Sequence, residues 1–118
     1  MFNITEDRNL KYKLSHQLVK VGAEITVESK VHVADMLTKI RALSGFVIVS
    51  SDEKIERPEI GNEFKFNVSI KYLPEGSEVY SMLEKMGKAL KTIEGLKVVK
   101  FISAGEKRII KDGKPIVF

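Results

Sequence analysis

The chain reads as an α+β sandwich of βαββαβ order, a four-stranded antiparallel sheet with two helices on one face. Three observations predict it. Two amphipathic helical stripes each end in a glycine and run straight into an apolar strand, "IRALSGFVIVSS" at 40–51 and "LKTIEGLKVVKF" at 90–101. At an offset of fifty, Val33 matches Leu83, Met36 matches Met86, Ile40 matches Leu90, Leu43 matches Ile93, Gly45 matches Gly95 and Val49 matches Val99. Each helix is also preceded by a segment alternating between apolar and polar residues, so two β-α-β halves follow one another.

The elements follow in order. Residues 5–21 admit two readings. Tyr12, Leu14 and Leu18 alternate as in a strand, whereas Leu10, Leu14, Leu18 and Val21 share a helical face with Thr5 as cap. The first strand spans 18–28, where Val19, Val21, Ala23, Ile25 and Val27 alternate. The first helix spans 30–44, with Val33, Met36, Leu37, Ile40 and Leu43 on one face, Ser29 as N-cap and Gly45 as left-handed terminator. A β-rich run, 46–55, follows. The clearest strand is 63–73: Phe64, Phe66, Val68, Ile70 and Tyr72 point one way and Lys65, Asn67, Ser69 and Lys71 the other. A second helix over 77–94, capped by Ser77 and ended by Gly95, carries Val79, Met82, Leu83, Met86, Leu90 and Ile93. The last core strand is 96–103. In the tail "RIIKDGKPIVF", Asp112-Gly113 predicts a type I′ hairpin turn, and Pro115 confines the final strand to an edge.

This order is that of the ferredoxin-like sandwich. At 118 residues the chain is expected to form one domain, 1–118, with a core at about 18–104, an N-terminal arm at 1–17 and a C-terminal hairpin at 107–118. No apolar run is long enough for a bilayer span, so no membrane partner is expected. "MFNITEDRNLKYK" lacks a secretory h-region, and the chain has no cysteine. Both fit a cytoplasmic protein, in the host or in a virion if the source is viral.

The net charge of +4 raises the question of nucleic acid. Residues 52–63 ("DEKIERPEIGNE") hold five acidic side chains against two basic ones, a net of −3, which leaves +7 on the rest. Those lysines are spread over most elements, the pattern of a solvated surface.

Chemistry-bearing clusters are sparse. His32 and Asp35 have a helical spacing that presents two ligands, and His16 could join them, but a zinc site needs three or four. Asp52, Glu53, Glu56 and Glu59 lack the spacing of a calcium loop. There is no cysteine, no Gly-x-Ser-x-Gly elbow and no phosphate loop; "SAGEKR" holds one glycine. No catalytic residue, cofactor or metal ligand is expected, and the chain is read as a non-enzyme.

Three resemblances bear on function. "NEFKFNVSI" resembles the third strand of RNA-recognition domains through Phe64-x-Phe66, which implies base stacking; five apolar residues in register predict a core face instead. "VADMLTKIRALSGFVIVSS" is similar to the first helix and second strand of ACT-type regulatory domains, which implies sheet-mediated dimers with a small molecule at the interface. "VESKVHV" stands where those domains place a glycine. "IRALSGFVIVSS" with "FKFNVSIKYLP" resembles small uncharacterised ferredoxin-like proteins of tailed phages and marine environmental sequences, over residues 20–103.

Strands 46–49 and 98–102 turn apolar side chains both ways, and such strands need a second cover. The expected function is a non-enzymatic interaction or assembly module, homo-oligomeric through the sheet face or the hairpin, of the kind a phage encodes as a structural or accessory protein. The alternatives are an ACT-like or RNA-binding domain. The expected interface residues are Phe46, Ile48, Val99, Phe101, Ile116 and Phe118.

Overall fold

The structure, a computed structural model, describes residues 3–5, 17–52, 62–74, 76, 78–105 and 107–118. The elements are β1 (Asn3–Thr5), β2 (Val19–Glu28), α1 (Val33–Arg41), β3 (Phe46–Ser51), β4 (Glu63–Tyr72), α2 (Val79–Leu90), β5 (Leu96–Ala104), β6 (Lys107–Ile109) and β7 (Ile116–Val117). The architecture is α+β, with a mostly antiparallel sheet and two helices.

The sheet is wider than the four strands expected. Its order is β1-β6-β5-β2-β4-β3, with β7 also on β5. The four long strands stand as β5-β2-β4-β3, all antiparallel. β2 and β4 pair over their whole length, from Val19 opposite Tyr72 to Glu28 opposite Glu63. β1 is the exception, pairing parallel with β6 through Ile4 opposite Arg108. Neither reading of 5–21 included this strand, and residues 6–16, on which both readings turned, lie outside the described residues.

One face of the sheet carries the core. Phe64, Phe66, Val68, Ile70 and Tyr72 are buried, as their alternation predicts, facing Val27, Ile25, Ala23, Val21 and Val19 across the pair. Met36 and Ile40 of α1 and Met82, Leu83, Met86 and Leu90 of α2 enter the same cluster. Each such side chain removed from water contributes about 1.5–3 kcal/mol.

The fifty-residue repeat survives as matched bonds. Leu43 N donates to Ile40 O as Ile93 N donates to Leu90 O, and Phe46 N to Leu43 O as Leu96 N to Ile93 O. Gly45 and Gly95 both take a left-handed backbone, with φ of +88° and +91°. The helices are shorter than expected. His32 and Glu78 occupy the N-cap positions without a side-chain cap bond, so Ser29 is not the cap of α1. Ser77 lies outside the described residues.

The tail forms the expected turn in an unexpected place. Asp112 and Gly113 have φ of +53° and +73°, and Lys111 and Lys114 exchange both backbone bonds around them, a two-residue type I′ turn. The strands on either side do not cross the open face as a lid. β6 pairs with Ser103–Ala104 and β7 with Lys100–Phe101, so both occupy one edge of β5 in succession. The Phe118 and Val99 backbones exchange two further hydrogen bonds. The turn between them bends toward α2, where Lys111 Nζ stands 4.0 Å from the centre of the Tyr80 ring.

The two-sided apolar strands have another cause. The register shifts at Phe46/Ile48, at Thr26/Val27 and at Gly22/Ala23 insert Val47, Lys97 and Ile102 as extra residues. A bulge turns neighbouring side chains away from strict alternation, so apolar neighbours there need not imply a second layer.

Candidate functional site

Among the described residues no helix or strand covers the face of the sheet opposite the helices, and both candidate sites lie on it. Lys20, Gly22, Glu24, Thr26 and Glu28 of β2 alternate with the core residues and point outward, beside Lys71, Ser69, Asn67, Lys65 and Glu63 of β4.

At one corner the open face is apolar. Leu18, Val47, Ile48 and Leu73 are the exposed large hydrophobics here, each 45–52 % exposed. Ile48 stands opposite Lys71, and Leu18 and Leu73 lie just beyond the Val19–Tyr72 pair, on the same side as Lys20 and Lys71. Val47 is the bulged residue of the edge strand.

The adjoining edge of β3 is blunted. Asp52 N donates to Asn67 O at 3.3 Å, and two-residue alternation from that bonded pair turns the Val49 carbonyl away from β4. Arg41 of α1 reaches over and donates from Nη2 to that carbonyl at 2.9 Å. A bulge and a guanidinium at the edge both oppose the addition of another strand.

Farther along the face a depression of about 640 Å³ crosses the strands. Its floor is a row of small residues in register: Ser50 opposite Ser69, Ser69 opposite Gly22, Gly22 opposite Ser103. Arg108 continues the row on β6, opposite Ser103. Lys20 and Gly105 line the side toward the β5–β6 turn, and Asp52 and Asn67 line the side toward the end of β3. A bond of 2.7 Å from Gly105 N to Lys20 O ties the turn to the start of β2.

Ser103 is 7 % exposed, and its hydroxyl has no hydrogen-bond partner among the described residues. That hydroxyl sits over Gly22, 2.7 Å from where a Cβ would be. A glycine inside an alternating strand marks such a close approach, and Gly22 was the one sequence signal for this site. The partners that complete the row are far apart in the chain, and no local motif joins them.

At the other end of the face Glu28 holds two cations. Lys97 Nζ is 3.2 Å from Oε1 and Lys30 Nζ is 3.4 Å from Oε2. The hydrogen bond from Lys97, then that from Lys30, lowers the Glu28 pKa below the usual carboxylate value.

The six expected interface residues fall differently. Phe46, Val99, Phe101 and Ile116 are buried in the chain's own core, and Phe118 packs on its margin with its ring 5.8 Å from that of Phe101. Their apolar character is satisfied within the chain; Ile48 is exposed and belongs to the corner. Phe64 and Phe66 stack on each other inside the core, ring centres 5.8 Å apart, and offer no platform for bases.

His32 and Asp35 stand at the start of α1, and among the described residues no three His, Asp or Glu side chains converge. His16 and most of the acidic segment, residues 53–61, lie outside the described residues. No described helix is long and apolar enough to cross a membrane.

Comparison of the chain with protein-family models, with curated proteins and with solved structures finds no match.

Proposed function

We propose that the chain is a non-enzymatic interaction module of the ferredoxin-like class that associates with a second copy of itself through the Leu18–Val47–Ile48–Leu73 corner. The class is supported by the β5-β2-β4-β3 order of the long strands and by the two helices packed into one core. The corner carries the functional reading: four large apolar side chains, each about half exposed, gather at one end of an open sheet face.

Charge favours a second copy as the occupant. Lys20 and Lys71 stand within the corner, whereas Asp52 follows the opposite end of β3 and Glu63 opens β4 toward that same end. A two-fold axis between facing sheets sets each basic corner against the partner's acidic end. Arg41 and the Val47 bulge oppose edge-to-edge extension, so the contact is through the face. Burial of four side chains at about 1.5–3 kcal/mol each is comparable with the cost of association, which gives a reversible, concentration-dependent dimer.

Sedimentation equilibrium over a range of concentrations tests this reading. The intact chain is expected to show a monomer–dimer equilibrium that weakens with salt. Ile48→Lys is expected to be monomeric with an unchanged melting curve. A native chain that stays monomeric at every concentration overturns the proposal.

A further inference from the structure

A buried hydroxyl that meets no protein partner is rare, because its desolvation is left uncompensated. Among the described residues Ser103 is such a group, and it opens onto the depression. Its flanking charges along the row are cationic, with Asp52 at the far side of the depression. Lys20 lines the adjacent wall, and Arg108 stands directly across from Ser103 on the same face. Neither forms an ion pair among the described residues. Glu24 is the nearest acidic residue along β2, and it stands opposite Lys100, a third cation that offsets it.

Lys20 in the wall and Arg108, one strand beyond the lining and in register with Ser103, flank a hydroxyl donor set over a glycine, a donor set suited to a tetrahedral oxyanion. The missing Cβ of Gly22 brings the Ser103 hydroxyl down to the floor. The rest of the depression is too large for an anion alone and differs in chemistry. Ser50, Ser69 and Asn67 can donate or accept, Asp52 accepts, and none of the described residues lining it is aromatic. That lining suits a body rich in hydroxyls and gives a nucleobase nothing to stack on.

We propose that the depression binds a small phosphomonoester with a polyol body, of the sugar-phosphate type. Lys20, Ser103 and Arg108 contact the phosphate, and Asn67 and Asp52 face the hydroxyls. This site shares Lys20 and Asp52 with the face proposed for self-association, so the titration uses the Ile48→Lys chain, in which the two readings are tested apart.

The test is a titration of the isotope-labelled Ile48→Lys chain followed by amide chemical shifts, at fixed ionic strength and pH. The probes are inorganic phosphate, glucose 6-phosphate and glucose. Saturable shifts are expected at residues 20–22, 67–69 and 103–108, with glucose 6-phosphate binding more tightly than phosphate and glucose not binding. Lys20→Gln and Arg108→Gln are each expected to weaken binding about tenfold or more, as loss of a charge-assisted hydrogen bond does. Ser103→Ala is expected to weaken it less, and Lys114→Gln at the hairpin turn to leave it unchanged.

Lys20, Arg108 and Lys114 are exposed, so these variants are expected to keep the native melting curve. No saturable binding of either phosphate overturns the site. So does an equal loss in Lys114→Gln, which marks diffuse charge attraction. Equal affinity for phosphate and glucose 6-phosphate overturns the assignment of a polyol body.

Discussion

The Phe118 ring lies directly on the backbone of Gly87, in the middle of α2. A Cβ at Gly87 would stand 2.6 Å from Phe118 Cγ and 3.0 Å from its Cβ. The ring cannot swing aside freely, because Phe118 is tied to Val99 by backbone bonds of 2.8 and 2.9 Å. A glycine that a helix would otherwise disfavour is explained by a residue 31 positions later.

Gly87→Ala therefore has a sign that depends on Phe118. In the intact chain the clash outweighs the helix-propensity gain, for a net loss of about 1–3 kcal/mol in urea unfolding. In a Phe118→Ala background the same substitution should stabilise by about 0.5–1 kcal/mol. Additive effects in this double-mutant cycle would show that the two residues do not meet.

Removal of the tail tests the role of β6 and β7. Truncation after Gly105 strips the β5 edge of its partners and uncovers Phe101, which is fully buried in the intact chain. An exposed, apolar edge strand promotes association, so the truncated chain should be less stable and aggregate on concentration. A truncated chain with the stability and solubility of the parent would show that the edge needs no cover.

Gly45 and Gly95 should respond alike. Both have φ near +90°, where an alanine costs roughly 1–2 kcal/mol, and both meet a side chain 2.8 Å from a Cβ, the Tyr72 ring at Gly45 and Val31 Cγ2 at Gly95. Gly45→Ala is expected to cost more, because the Tyr72 ring is buried and held edge-on to Phe46. A neutral Gly45→Ala in urea unfolding would contradict the left-handed turn.

The Glu28 pairs make part of the stability depend on pH. Its folded pKa lies below the ordinary value of 4.5, through Lys97 first and Lys30 second. The unfolded chain thus binds a proton more readily, so the contribution is present above the unfolded pKa and is lost as pH falls through the folded one. The stability difference between the native chain and Glu28→Gln should be largest near neutral pH and vanish in acid. A difference that persists in acid would assign the effect to packing.

Much of the fold was legible because it rests on local period. The alternation from Phe64 to Tyr72 and the stripe from Val79 to Leu90 are each imposed by burying one face of one element. The match of Met36 with Met86 and of Gly45 with Gly95 then revealed the tandem halves. The open-face sites were less legible. Ile48 and Phe46 were both expected at an interface; Ile48 is exposed, but Phe46, beside it, is core, because the Val47 bulge breaks the alternation between them. A bulge is a property of paired strands and leaves little trace in either one alone.

What the sequence by itself determined is the set of long elements, their order and the face each must bury, since apolar spacing within one segment answers to that segment's own geometry. Only the tertiary structure decided where the short pieces go: three residues at Asn3–Thr5 are too few to carry a period, and the hairpin at Asp112-Gly113 could have lain over the sheet or along its edge. It also decided the row from Ser50 to Arg108, since register across five strands is set by the packing of the opposite face. The serine at 103 and the glycine at 22 become neighbours only when the core residues on either side of them have met.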